Sequence, residues 1–192
     1  GQLLNLSALG ADAGLTHTTA KSWLSVLEAG YVTWRVPPFH ANVGTRLVKT
    51  PKLHFFDTGM VCHLLGIRSA DQLREHPLRG AIFEAWVASE IHKVRVHRGL
   101  SPGLTFFRDR KGREVDLIVE RGHDLVAVET KSGQTVADDF FAGLRVFDAV
   151  VATARPRRRV RGFVVYGGEV AQDRTAGTVV PWSALDAQAW WR

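Results

Sequence analysis

Two carboxylates and an ammonium stand close together in the middle of this chain. Asp116 lies inside Glu114-Val-Asp-Leu-Ile-Val-Glu120, and Glu129 and Lys131 end the run Leu125-Val-Ala-Val-Glu-Thr-Lys131. Both runs have strand length, and the polar turn between them carries Gly122 and Asp124, so the segment reads as a β-hairpin. Side chains two apart on a strand share a face, which projects Glu129 and Lys131 together. A carboxylate and an ammonium on an apolar strand are costly to bury alone, and pairing or a bound metal ion relieves that cost. Thirteen positions separate Asp116 from Glu129, a spacing that lets one hairpin bring both to one end of a sheet. Carboxylates are hard oxygen ligands suited to Mg2+ or Mn2+. A neighbouring lysine can orient a metal-bound water or neutralise a phosphate. The chemistry this set suits is phosphodiester hydrolysis; the plain alternative is a surface hairpin with a Glu–Lys ion pair.

These groups need elements to hold them. Gly80 to Lys93 has helical periodicity, with Ile82, Phe83, Trp86 and Val87 on an apolar stripe that Ile91 and Val94 continue. Glu84 falls early in this helix among apolar neighbours, where it is either a dipole-favoured charge or a third ligand. Glu90 belongs to the solvated face.

A helix with Glu84, a strand with Asp116 and a following Glu129-Thr-Lys131 resemble the PD-(D/E)XK nuclease-like fold. Carried over residue by residue, the resemblance implies that Glu84, Asp116 and Glu129 line a divalent-metal site and that Lys131 assists catalysis. Gln134 resembles a polar position that some members add. Val115 stands where the family motif has proline, a proline that many members lack.

A longer series extends this. Lys52-Leu-His-Phe-Phe-Asp-Thr-Gly-Met60, Gly80-Ala-Ile-Phe-Glu84, Phe106-Phe-Arg-Asp-Arg-Lys-Gly-Arg-Glu-Val-Asp116 and Glu129-Thr-Lys-Ser-Gly133 follow in order. The series resembles the C-terminal half of a widespread group of prokaryotic AAA-type ATPases. That group implies an upstream P-loop domain, then a winged helix, then a nuclease-like domain of unassigned function. No Gly-x-x-x-x-Gly-Lys-Ser/Thr pattern occurs in the 192 residues. ATP would therefore belong only to the upstream domain, an expected partner. Gly1 reads as lying inside a helix, which suggests a piece of a longer protein.

The first third has its own order. Leu6 to Ala13 reads as a short helix, and Thr16 caps a second one running to Glu28, with Ala20, Trp23, Leu24 and Leu27 on one stripe. Gly30 stops it, and a strand pair ending at Phe56 follows. Helix, turn, helix and hairpin is the winged-helix order. His17, Thr18, Thr19, Lys21 and Ser22 would face a DNA groove; but one lysine and no arginine suit a rigid connector better. Arg35, Arg46, Lys49 and Lys52 on the wing would make weak phosphate contacts.

Composition sets the outer bounds. Lys and Arg number 25 against 19 Asp and Glu, a net charge of +6, which permits nucleic-acid binding without demanding it. The densest basic run, Arg155-Pro-Arg-Arg-Arg-Val-Arg161, and the turn holding Arg108, Arg110, Lys111 and Arg113 are candidate phosphate contacts, with Arg157, Arg158, Arg159, Arg110 and Lys111 foremost. Solvated surface loops are the alternative. The single cysteine, Cys62, allows no internal disulfide and reads as a core thiol. No apolar run reaches the roughly 20 residues of a membrane span, which points to a cytoplasmic, non-membrane module.

The remaining pattern is helix 80–95, strands 104–108, 113–120 and 125–131, helix 137–150, strand 161–166, a strand near 178–180 and a helix near 183–190. The expected fold is α/β: an N-terminal winged helix-turn-helix over 1–66, then a PD-(D/E)XK restriction-endonuclease-like mixed sheet flanked by helices over 67–192. The expected function is a Mg2+- or Mn2+-dependent nuclease-like domain that cleaves or binds nucleic acid. The alternative is a non-catalytic DNA- or protein-binding regulatory module of the ATPase.

Overall fold

The computed structural model describes residues 1–40, 48–153 and 158–186. The chain opens with strand β1 (Gln2–Leu3), helix α1 (Leu6–Asp12) and helix α2 (His17–Ala29). Asn5 and Thr16 cap the two helices by accepting from the backbone N–H groups of Ala8 and Thr19. Strands β2 (Thr33–Val36) and β3 (Lys52–Phe55) pair antiparallel, and β1 adds to the free edge of β3. The expectation of a helix at Gly1 is thus corrected, because the first residues extend to satisfy the open edge of β3. On α2 only Ala20 and Leu24 are buried; Trp23 (60% exposed) and Leu27 (42%) face outward, against the single stripe expected.

Helices α3 (Thr58–Leu64), α4 (Ala70–Glu75) and α5 (Arg79–His97) follow, then β4 (Leu104–Arg108), β5 (Glu114–Arg121), β6 (Asp124–Lys131), α6 (Ala142–Ala152), β7 (Arg159–Tyr166), β8 (Gln172–Arg174) and β9 (Gly177–Pro181). A 3-10 turn at Asp138–Phe141 leads into α6, and another at Trp182–Ala184 replaces the start of the expected last helix. Trp190 and Trp191 lie outside the described residues.

Strands β4 to β9 form one mixed sheet in the order β4-β5-β6-β7-β9-β8. The pairs β4–β5, β5–β6 and β8–β9 are antiparallel; β6–β7 and β7–β9 are parallel. Each face buries its own core. Val87, Ala88 and Ile91 of α5 cover Leu117, Val126 and Val128. Leu144, Phe147 and Val151 of α6 cover Ile118, Leu125 and Ala127. Burial on both faces explains why the central strands read as nearly continuous apolar runs. No described helix is long and apolar enough to cross a membrane.

Cys62 is half-buried rather than a core thiol. It lines a groove of ≈ 520 Å³ with Arg79, Phe83, Trp86, Ser132 and Trp182, because α3 buries none of its residues fully.

Candidate functional site

The site begins with a fault in strand pairing. Thr105 pairs with Ile118, whereas Phe107 pairs with Val115. One residue of β4, Phe106, therefore faces two of β5, Asp116 and Leu117, which is a β-bulge. The bulge breaks alternation: Val115 and Ile118 both join the core under α6, while Leu117 joins the core under α5. Asp116 is re-aimed toward the α5 side and toward β6. Its Oδ2 accepts from the backbone N–H of Thr130 at 2.8 Å and from the Thr130 hydroxyl at 2.7 Å.

The α5 side supplies Glu84, on the second turn of α5 and 9% exposed. Between Glu84 and Asp116 lies the ammonium of Lys52. Inward residues alternate along β3, so Lys52 and His54 both point at α5. Lys52 Nζ donates to Glu84 Oε1 at 2.7 Å and to Asp116 Oδ1 at 3.3 Å, and it also pairs with Glu114 Oε1. The same nitrogen lies 5.4 Å from the Phe106 ring centre. Lys52 is 2% exposed, so the wing contact with phosphate expected of it is corrected: alternation turns it inward. Arg35 of the same strand pair is held by Glu28, and Arg46 lies outside the described residues.

Among the described residues, the carboxylates that each offer an oxygen within 4.8 Å of the others are Glu84, Glu114 and Asp116. Glu129 is not one of them. It shares the strand face of Leu125 and Ala127 under α6, and its Oε1 accepts from Lys131 Nζ at 2.6 Å. Lys131 Nζ also stands 5.8 Å from the Phe140 ring centre. The structure thus brings Glu84 and Asp116 together with Glu114 and Lys52, and sets Glu129 and Lys131 beside them as a separate pair. Glu114 and Lys52 escape a reading built on the family motif. Their signals are present nonetheless: Glu114 stands two before Asp116 on one strand face, and Lys52 and His54 alternate with Leu53 and Phe55.

Electrostatics follow from burial. Desolvation, with Asp116 adding repulsion, pushes the Glu84 carboxyl up to about 7. Desolvation and then Asp116 push Glu129 up to about 8, since Lys131 offsets only part of the cost. For Lys52, burial alone lowers the pKa, but Asp116, Glu84 and Glu114 outweigh it and the net shift is upward. Burial, then the Gly1 ammonium and Lys52, hold His54 well below the usual imidazole range. Among the described residues neither ring nitrogen of His54 has a hydrogen-bond partner, and its Nε2 lies 3.9 Å from Glu84 Oε1.

A pH dependence follows with a definite sign. Folded Glu129 binds its proton up to about 8 and folded Glu84 up to about 7, against an ordinary value of 4.5. The folded state therefore holds more protons, and stability is lost as pH rises toward about 8. His54 acts oppositely, only below its ordinary 6.5, because a buried neutral imidazole resists protonation. Between about pH 6.5 and 8.5 the wild type should lose about 2 kcal/mol, and Glu129→Gln should flatten that slope. Urea denaturation at the two pH values checks this; an unchanged slope in Glu129→Gln would contradict it.

The basic candidates separate by position. Asp109 accepts from the backbone N–H groups of Lys111 at 2.9 Å and Arg113 at 3.0 Å, which fastens the β4–β5 turn. Arg110 and Lys111 stand exposed on that turn, at the sheet end that carries Glu114. Arg158 and Arg159 do not. Arg159 pairs with Asp124 at the start of β6, while Lys131 ends the same strand alongside Tyr166. Seven steps at about 3.3 Å put them roughly 23 Å from Lys131. Arg158 Nη1 also donates to Glu120 Oε2 at 2.9 Å. The expectation that both basic loops flank one carboxylate cluster is corrected, because parallel pairing of β7 with β6 places its first residues at the far sheet end. Arg155 and Arg157 lie outside the described residues.

Known sequences resemble this chain in two segments. Residues 1–71 match a domain of unknown function (DUF8612), and residues 79–185 match a second domain of unknown function (DUF4143). The uncharacterized protein Rv2008c of Mycobacterium tuberculosis (strain ATCC 25618 / H37Rv) is 32% identical over 121 residues. The uncharacterized protein Mb2031c of Mycobacterium bovis (strain ATCC BAA-935 / AF2122/97) is likewise 32% identical over 121 residues. Each match covers 62% of this chain and 26% of the relative, so the chain spans about a quarter of the length of these curated relatives. The second segment takes in more than half of the 192 residues and holds Glu84, Glu114, Asp116, Glu129 and Lys131, and the chain belongs to the DUF4143 family.

Proposed function

We propose that this chain is a winged helix followed by a PD-(D/E)XK nuclease-like domain, the C-terminal region of an AAA-type ATPase, and that it cleaves nucleic acid with Mg2+ or Mn2+. The observation that carries the reading is the packing of three carboxylates at one sheet end, with the Glu129–Lys131 pair beside them. The donor set fits a hard divalent cation: three carboxylates offer oxygens within 4.8 Å of one another. Glu84, Glu114 and Asp116 would hold the ion. When bound, it would lower the pKa of a water and neutralise charge on a phosphate. Thr130 keeps Asp116 in place through two hydrogen bonds. Glu129 holds Lys131, one-third exposed, where its ammonium can meet a phosphate oxygen. Arg110 and Lys111 supply cations for the backbone at the same sheet end.

A second reading has its own support. Trp23, Val26 and Tyr31 are 60%, 67% and 78% exposed, an apolar surface suited to a protein neighbour such as an upstream ATPase domain. In that reading the domain regulates a partner and does not cut.

Cleavage of single-stranded, duplex and branched DNA in Mn2+ separates the two. The nuclease reading expects cleavage by wild type and loss of about 10²-fold or more in Lys131→Ala, with DNA affinity nearly kept. Arg110→Ala with Lys111→Ala should weaken binding and lower its salt slope by about one unit per lost phosphate contact. No binding at low salt and no cleavage would leave the protein-binding reading standing.

A further inference from the structure

The carboxylate cluster already holds a cation of its own. Lys52 is almost fully buried and its three ammonium hydrogens have three carboxylate partners, Glu84, Glu114 and Asp116. Those are the residues that offer oxygens to one point. An ammonium and a divalent ion compete for such a position, because both need the same lone pairs and each repels the other at close range. Other cations already reach the outer oxygens, since the Gly1 ammonium lies 3.5 Å from Glu84 Oε2 and Arg108 Nη1 donates to Glu114 Oε2 at 3.1 Å, so the exchange concerns the inward oxygens that Lys52 holds. The neighbouring inward residue of β3, His54, is buried, has two ring nitrogens without hydrogen-bond partners among the described residues, and stands 3.9 Å from Glu84 Oε1.

Lys52 also comes from a different sheet. Among the described residues its strand pairs with β1 and β2, whereas the three carboxylates lie on α5 and β5. The two sheets meet through the Pro38–Phe106 bridge, with backbone bonds from Phe39 N to Phe106 O at 2.7 Å and from Phe106 N to Pro37 O at 3.1 Å, whereas β3 itself meets α5 through side chains, the Ser89 hydroxyl donating to Phe55 O at 3.2 Å. Rotation of the long lysine stem, or a shift of β3 against α5, is the movement that withdrawing the ammonium requires.

We propose that Lys52 is a built-in counter-cation that competes with divalent ions for the carboxylate cluster, so that withdrawal of Lys52 by the N-terminal three-stranded sheet strengthens metal loading. The inference rests on the metal-site reading above. It makes metal loading a property of how the N-terminal segment sits on α5, and a partner that moves this segment would thereby switch the site.

The test is Mn2+ binding to the 192-residue chain, followed by calorimetry and by loss of the free-ion paramagnetic resonance signal. Lys52→Gln should bind Mn2+ at least about 10-fold more tightly than wild type, whereas Lys52→Arg, which keeps the charge, should gain nothing. Lys52→Gln should also melt lower than wild type without metal and recover when Mn2+ is added. If wild type binds Mn2+ and Lys52→Gln binds it no more tightly, the counter-cation role is overturned and the metal site stands. If neither protein binds Mn2+ at about 10 mM, the metal-site reading falls and takes the counter-cation role with it. Should Lys52→Gln not fold, acetylation of wild-type lysines read by mass spectrometry decides. Lys52 should be protected without metal and should react at least about 10-fold faster with Mn2+ bound. A Lys52 that stays protected in the Mn2+-bound protein overturns the proposal.

Discussion

Asp116→Asn should lower Mn2+-dependent cleavage of nucleic acid by at least about 10²-fold, a loss larger than that of any surface charge. The substitution keeps the shape of the side chain and leaves one oxygen to accept from Thr130 at its present place. What it removes is a ligand charge from the set of Glu84, Glu114 and Asp116. It also puts an amide N–H where Lys52 Nζ now donates at 3.3 Å, so two donors can come to face each other. The check is a cleavage time course beside circular dichroism and the shift in melting temperature caused by Mn2+. A folded Asp116→Asn that cuts like wild type would remove Asp116 from the site. A folded variant that loses both cleavage and the metal-induced shift would tie both to this carboxylate.

Gly143→Ala should destabilise the chain by about 3 kcal/mol or more, although glycine is ordinarily the poorer helix residue by about 1 kcal/mol. The reason is space. A Cβ on Gly143 would overlap the carbonyl oxygen of Glu114, and it would sit 3.1 Å from the Glu114 carbonyl carbon and 3.3 Å from Glu129 Oε2. The obstacle is backbone of β5, which cannot swing aside like the end of a side chain. Either α6 lifts off the sheet, opening the core around Leu144 and Phe147, or the start of β5 shifts. The second response would drag Glu114 and disturb its pairing with Lys52. Urea denaturation of the variant gives the stability loss. An equal or higher midpoint would show that α6 does not seat on β5 this closely.

Much of the frame was legible because it rests on local rules. The hairpin of β5 and β6 follows from two apolar runs around Gly122, whose φ of +56° requires the left-handed region that glycine tolerates. The pairing of Glu129 with Lys131 follows from two-residue alternation, and the start of α2 follows from Thr16 as a cap. Apolar periodicity likewise marks α5 and places Glu84 on it. The two helices and strand pair of the N-terminal segment emerge in the order the chain dictates.

The makeup of the carboxylate cluster was a different matter, because it depends on which residues meet across long separations. A bulge opposite Phe106 re-aims Asp116, and no local pattern announces where two strands slip by one residue. Lys52 lies 32 positions from Glu84 and 64 from Asp116 along the chain, so its place among them appears only when β3 docks on α5. As a sequence feature it was one more surface charge on a wing; buried, it becomes the counter-ion of three carboxylates. Parallel pairing of β7 with β6 likewise carries Arg158 and Arg159 to the far sheet end, which their places in the chain do not announce. Composition and periodicity determine elements and their inward faces, since those depend on neighbours within a few residues. Register, bulges and the partners of buried charges are settled by packing, where an ammonium in a low-dielectric interior must find whatever carboxylates the docked elements present.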